Sequence, residues 1–169
     1  MVARQAAGMH RYARPVAALV AALLLAACTT ARTQPGATTI PSSGSLASLE
    51  VLLTKSPSCS CCTGHEAYLE RLGMRVQVTV SEDIQAVKDV YAIPAEMRSC
   101  HTSTVGRYFV EGHVPIEAIE QLLAARPDID GISLPGMPPG SPGMGGALEG
   151  PLIVYAIDDG RVVGEFGNF

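Results

Sequence analysis

LEVLLTKSPSCSCCTGHEAYLERLG, residues 49–73, decides the fold. Its first part, LEVLLTK (49–55), is a short apolar run of strand length. Three cysteines then fall within four positions, at Cys59, Cys61 and Cys62. After them Ala67, Leu69 and Leu72 share a helical face, and Gly73 ends the helix. Three cysteines cannot all pair with one another, so a single structural disulfide does not account for them. A cysteine at a helix N-terminus faces unpaired backbone N–H groups and the positive end of the helix dipole. Both favour thiolate, the form that attacks disulfides and binds metals.

Downstream, MRVQVTV (74–80) alternates apolar and polar residues, the pattern of a half-buried strand. SEDIQAVKDVYAIP opens on Ser81 and acids and sets Ile84, Val87 and Val90 at helical spacing. TSTVGRYFVEG (102–112) reads as two short strands about Val105-Gly106. PIEAIEQLLAAR (115–126) is a helix with Pro115 in its first turn and Ile116, Ile119, Leu122 and Leu123 on one face. PLIVYAIDDGRVVGEF reads as a hairpin about Asp159-Gly160. The order is β-α-β-α-β-β-α-β-β, which implies βαβ units and an α/β fold. A cysteine motif where the first strand meets the first helix is the thioredoxin-like arrangement: a central mixed sheet flanked by helices. Cys59 and Cys62 have C-x-x-C spacing, with Cys61 inserted between them.

The N-terminus carries Arg4, Arg11 and Arg14 without an acid, then the apolar run PVAALVAALLLAA (15–27). A basic head followed by a short apolar run is an export signal, too short to span a bilayer comfortably. It ends in LAAC, small residues directly before Cys28, similar to the lipobox of bacterial lipoproteins. The expectation is a signal peptide over 1–27, a lipid on Cys28, and a periplasmic protein anchored to a bacterial membrane. Removing 1–27 takes the formal charge from −4 to −7, which argues against nucleic acid as a partner. Residues 28–45, rich in Thr, Ser, Pro, Gly and Ala, read as a flexible tether reaching about 25 Å. One folded domain is expected over 46–169, its core filled by aliphatic side chains because the chain has no Trp.

Other sulfur and imidazole donors follow: SCHTS (99–103) with Cys100 and His101, EGHVP (111–115) with His113, and PGMPPGSPGM (135–144) with Met137 and Met144. Thiolates and thioethers are soft donors that suit Cu(I), and imidazole accepts copper in either oxidation state. Each has a plainer reading. Cys59, Cys61 and Cys62 can be one disulfide and one thiol. Cys100 can be a core cysteine or the disulfide partner of Cys62. His113 can orient its turn, and the loop methionines can pack. Met74 and Met97 read as core; Glu111, Asp128 and Asp130 read as solvated carboxylates.

From Pro57 through Met144 the chain resembles the CopG-like copper-resistance proteins, on the motifs CSCC, SCHT, EGHVP and PGMPPGSPGM. The resemblance implies a thioredoxin-like fold, copper as the bound metal, a multinuclear redox-active site and a role in copper tolerance. The ligand set it implies is Cys59, Cys61, Cys62, Cys100, His101, His113, Met137 and Met144. The partners expected are copper ions, the membrane through the Cys28 lipid, and other periplasmic copper-handling proteins. His65, four residues after Cys61, departs from the family pattern and either adds a ligand or replaces a packing group. Such a protein either sequesters copper or cycles it between Cu(I) and Cu(II). A thiol-disulfide oxidoreductase using Cys59 and Cys62 is the alternative; it needs neither Cys61 nor a thioether. A structural zinc site would leave the loop methionines unexplained.

Overall fold

A computed structural model describes residues 46–169. The expected export signal, the expected lipid-bearing Cys28 and the expected tether lie outside the described residues. Seven strands form one mixed sheet: β1 (Glu50–Lys55), β2 (Arg75–Val80), β3 (His101–Val105), β4 (Tyr108–Glu111), β5 (Gly131–Ser133), β6 (Ile153–Asp158) and β7 (Arg161–Asn168). Their order across the sheet is β2-β1-β3-β4-β5-β6-β7. Three helices accompany them: α1 (Ser60–Arg71), α2 (Ile84–Val90) and α3 (Ile116–Ala125). The fold is α/β with the cysteine motif at the β1–α1 junction, as the first strand and helix imply.

The connections follow from local chemistry. Helix α1 carries the chain from β1 to the parallel strand β2, and Gly73, at φ 92°, turns it back. Strands β3 and β4 pair antiparallel with Thr102 opposite Glu111, and β1 pairs antiparallel with β3. Helix α3 leads from β4 to the parallel strand β5. Asp159 and Gly160 both take positive φ, the two-residue turn that matches strand twist, and close the β6–β7 hairpin.

Strand alternation sorts the core into two faces. Val51, Val105 and Val110 pack with Leu69 of α1 and Ile119 and Leu122 of α3. On the opposite face Phe109 and Ile157 pack with Ile93 after α2. Burial of a side chain such as Leu122 contributes roughly 2 kcal/mol. The core is aliphatic, and Met74 belongs to it; Met97 packs partly buried against the smaller cluster. The Ile116 amide donates to the Tyr68 hydroxyl at 3.0 Å, tying α3 to α1.

Three expectations need correcting. Strand β5 was not legible. In α2, Val90 is 81% exposed, and the buried residue is Lys88. Glu111 is not solvated: it is fully buried and pairs with the Lys88 ammonium at 2.5 Å. A buried cation needs a partner, so the ion pair turns α2 to face Lys88 inward. Asp128 and Asp130 are exposed, as expected.

Candidate metal centre

The β1–α1 junction supplies the first donors. Cys59 is the N-cap of α1 and makes no side-chain cap bond. The i, i+3 spacing across this cap brings the Cys59 and Cys62 Cα atoms to 5.5 Å, an ordinary disulfide span, and the two are bonded. Cys61 and Cys100 are free thiols. The alternative pairing of Cys62 with Cys100 is therefore not formed; Cys62 Sγ lies 3.9 Å from the Cys100 carbonyl oxygen instead.

Cys100, just before β3, is the centre of the cluster. Its sulfur lies 3.8 Å from Cys61 Sγ, 3.3 Å from His101 Nδ1 and 3.0 Å from His113 Nε2. Cys61 Sγ is in turn 3.5 Å from Cys59 Sγ. Two sets of donor atoms result, each within 4.8 Å of one another: Cys59, Cys61, Cys62 and Cys100; and Cys100, His101 and His113. Cys100 belongs to both. Two sulfurs on one tetrahedral ion, at about 2.3 Å each, stand about 3.8 Å apart, so the Cys61–Cys100 pair fits a shared metal.

The imidazoles are arranged to stay neutral. The Pro142 carbonyl oxygen is 2.7 Å from His113 Nδ1 and 3.1 Å from His65 Nδ1. A carbonyl only accepts, so both rings carry their proton on Nδ1 and leave Nε2 as a lone pair. Burial pushes His65 down to about 4, and burial likewise lowers His101 and His113. A metal at neutral pH therefore meets an unprotonated Nε2 on His65 and His113. His101 Nε2 is buried with no hydrogen-bond partner, a state that costs about 1–3 kcal/mol unless something binds there. The Cys100 thiol is pushed up to about 12 by burial first and by the neighbouring Cys61 second. It becomes a thiolate readily only when a positive charge arrives.

The proline- and glycine-rich loop is held against α1. A Cβ on Gly64 would run into the Gly143 carbonyl oxygen, and a Cβ on Gly143, at φ +81°, would run into the His65 amide. This backbone contact delivers Pro142 to the two rings and sets Met144, next in the chain, beside the cluster. Met144 is half-buried in a turn closed by its own amide on Ser141 O at 2.8 Å. Met137 is different: it is 53% exposed. Of the eight expected ligands, the structure groups Cys59, Cys61, Cys62, Cys100, His101 and His113, with Met144 adjacent and Met137 outside the group. With Cys59 and Cys62 oxidised, the free sulfurs are Cys61 and Cys100; reduction makes four.

His65 was only an open possibility in the sequence. It is buried, with its ring centroid 4.9 Å from that of His101 and 5.2 Å from that of His113. Sequence reasoning missed the Pro142 carbonyl altogether, because a backbone atom carries no residue signature. The two glycines that allow its approach were the available sign.

Residues 97–144 match the family described as Protein of unknown function, DUF411. That segment holds Cys100, His101, His113, Met137 and Met144 and leaves out the CSCC motif. No curated protein matches the chain. Two solved structures do, both of the copper resistance protein CopG. Form 2 has 35% identity and a TM-score of 0.66, covering 72% of this chain and 98% of that one. Form 1 has 35% identity and a TM-score of 0.65, covering 72% and 97%. With the cysteine junction, the shared fold and that identity over nearly the whole of the solved chains, the protein belongs to the family of the copper resistance protein CopG.

Proposed function

We propose that the chain binds copper for copper resistance, at a multinuclear, redox-active site built from Cys59, Cys61, Cys62, Cys100, His101, His113 and Met144, with Met137 able to join from the exposed loop. The observation that carries this reading is the position of Cys100 Sγ, within 3.8 Å of a thiol and two imidazoles and common to both donor sets. A sulfur shared between two sets suits bridging of neighbouring ions. Soft sulfur donors with neutral imidazoles favour Cu(I) and tolerate Cu(II). The Cys59–Cys62 disulfide supports a redox role, since this pair can exchange two electrons at the edge of the cluster.

The same disulfide at the start of α1 favours a second reading, a thiol-disulfide oxidoreductase. Cys61→Ser separates the two. Disulfide exchange through Cys59 and Cys62 does not need Cys61, whereas a cluster of bridging thiolates does. The copper reading expects Cys61→Ser to lower the number of Cu(I) ions bound and to abolish protection of copper-stressed cells. Intact tolerance in that variant, alongside disulfide-reductase activity in the wild type, would favour the oxidoreductase.

We also propose export and lipidation at Cys28, which place the domain in the periplasm near a membrane and within reach of other copper-handling proteins there. Cys28→Ala should move the protein from the membrane fraction to the soluble one. A wild-type chain without lipid on Cys28 would contradict this.

A further inference from the structure

Beneath the cluster, on the opposite face of the sheet, lies a charged group that metal binding does not use. Alternation along β3 sends His101, Ser103 and Val105 to the α1 and α3 face, and Thr102 to the other. Along β4 it sends Val110 to the first face and Phe109 and Glu111 to the second. Thr102 and Glu111 are opposite each other in the β3–β4 ladder. Lys88 reaches them from α2, and both charged side chains are fully buried.

The hydrogen bonds of Glu111 have a direction. Its Oε1 accepts from the Ser99 amide at 2.6 Å and from Lys88 Nζ at 2.5 Å. Its Oε2 accepts from the Thr102 hydroxyl at 2.6 Å, while Lys88 Nζ donates to the same hydroxyl oxygen at 3.2 Å. Ser99 directly precedes Cys100, and Thr102 directly follows His101. One carboxylate thus grips the backbone on one side of the Cys100–His101 pair and a side chain on the other. It stands two residues before His113. Gly112 closes the arrangement: at φ +81°, a Cβ there would run into the Leu134 carbonyl and the Ser99 side chain, 2.6 Å away in each case. The segments that carry Cys100 and His113 are therefore pressed together at Ser99 and Gly112.

Stability does not explain such a pair. Burying two charges costs desolvation that their attraction only about repays, and apolar replacements are often neutral or stabilising. What the pair supplies here is geometry. We propose that Lys88 and Glu111 are positioning residues of the metal centre: Glu111 fixes Cys100, His101 and His113 in their binding arrangement, and Lys88, reaching in from α2, holds the Glu111 side chain in place. This inference rests on the proposed copper function, and its test separates the two.

The full-length protein is reduced and titrated with Cu(I) in competition with a chromophoric chelator. Lys88→Met/Glu111→Leu replaces the pair by apolar side chains of similar size. It should melt cooperatively near the wild-type temperature yet bind Cu(I) at least tenfold more weakly. Lys88→Met/Glu111→Gln restores an acceptor for the Ser99 amide without charge and should return affinity to within about threefold of wild type. Wild-type affinity in the leucine variant overturns the proposal, and so does a glutamine variant as weak as the leucine one. Should the leucine variant not fold, Thr102→Val keeps both charges and the Ser99 contact and should weaken binding about threefold or more; an unchanged affinity overturns the proposal. A wild-type chain that takes up no Cu(I) sinks the copper reading instead. In that event amide hydrogen exchange over 99–102 in metal-free protein decides: protection lost in the leucine variant and kept in the glutamine variant supports positioning, and protection unchanged in the leucine variant, or lost equally in both, overturns it.

Discussion

Gly143→Ala should be among the most damaging small substitutions in the loop, and the structure says why. Gly143 has φ +81°, where an L side chain is strained by about 1–2 kcal/mol. Its new Cβ would also overlap the His65 amide and the Gly64 carbonyl carbon, which are backbone and cannot rotate away. The loop must lift, and overpacking of this kind costs about 1–3 kcal/mol more. A total of about 3 kcal/mol lowers the melting temperature of a domain this size by roughly 10 °C. Lifting the loop also withdraws the Pro142 carbonyl from His65 and His113, freeing both rings to turn and to change tautomer. Loss of such an outer contact weakens metal binding about 10–100-fold. Gly145→Ala is the control, two residues away, where an added Cβ meets nothing within 4 Å. Scanning calorimetry and chelator competition on the two variants check the argument. Equal melting temperatures and equal affinities for both would refute it.

Further outcomes follow from the same side chains. The folded protein holds His65 at about 4, with His101 and His113 also lowered, against an unfolded value near 6.5. Between those values the unfolded chain takes up protons that the folded one refuses. Stability should therefore be complete above pH 6.5 and fall as pH drops towards 4, by on the order of 3 kcal/mol from His65, in denaturant titrations of metal-free protein. Stability that rises through that window would contradict the buried neutral rings. The Cys100 thiol, pushed up to about 12, should resist alkylation at pH 8 in folded metal-free protein and react once the chain is unfolded. Asp83 accepts from the Ala86 amide at 3.0 Å as the N-cap of α2, so Asp83→Ala should cost about 1 kcal/mol in denaturant unfolding.

The sequence showed the β1–Cys–α1 unit because three signals coincide there: an apolar run, a dense cysteine motif and a helical stripe ended by Gly73. The β6–β7 turn was equally plain, since Asp159-Gly160 is a local signal. Strand β5 spans only Gly131–Ser133, too short for any periodicity, and exists because α3 returns the chain parallel to β4. In α2 the apolar spacing pointed to Val90, yet Lys88, four residues after Ile84, faces inward. An ion pair formed between α2 and β4 overrides a local pattern, and its partner Glu111 is remote in sequence. The candidate donors could be picked out in the sequence because metal-ligand chemistry depends on residue type. Which of those residues converge, and what holds them, depended on backbone contacts: Gly64 on Gly143, Pro142 on two rings, Ser99 on Glu111.

The most direct test of the central claim is an anaerobic Cu(I) titration of the reduced full-length protein, with zinc offered at equal concentration. Cys100 belongs to two donor sets, so saturation should come above one copper per chain, and Cys100→Ser should lower that number. Saturation at or below one equivalent, or zinc taken up in preference to copper, would contradict a shared-sulfur copper centre.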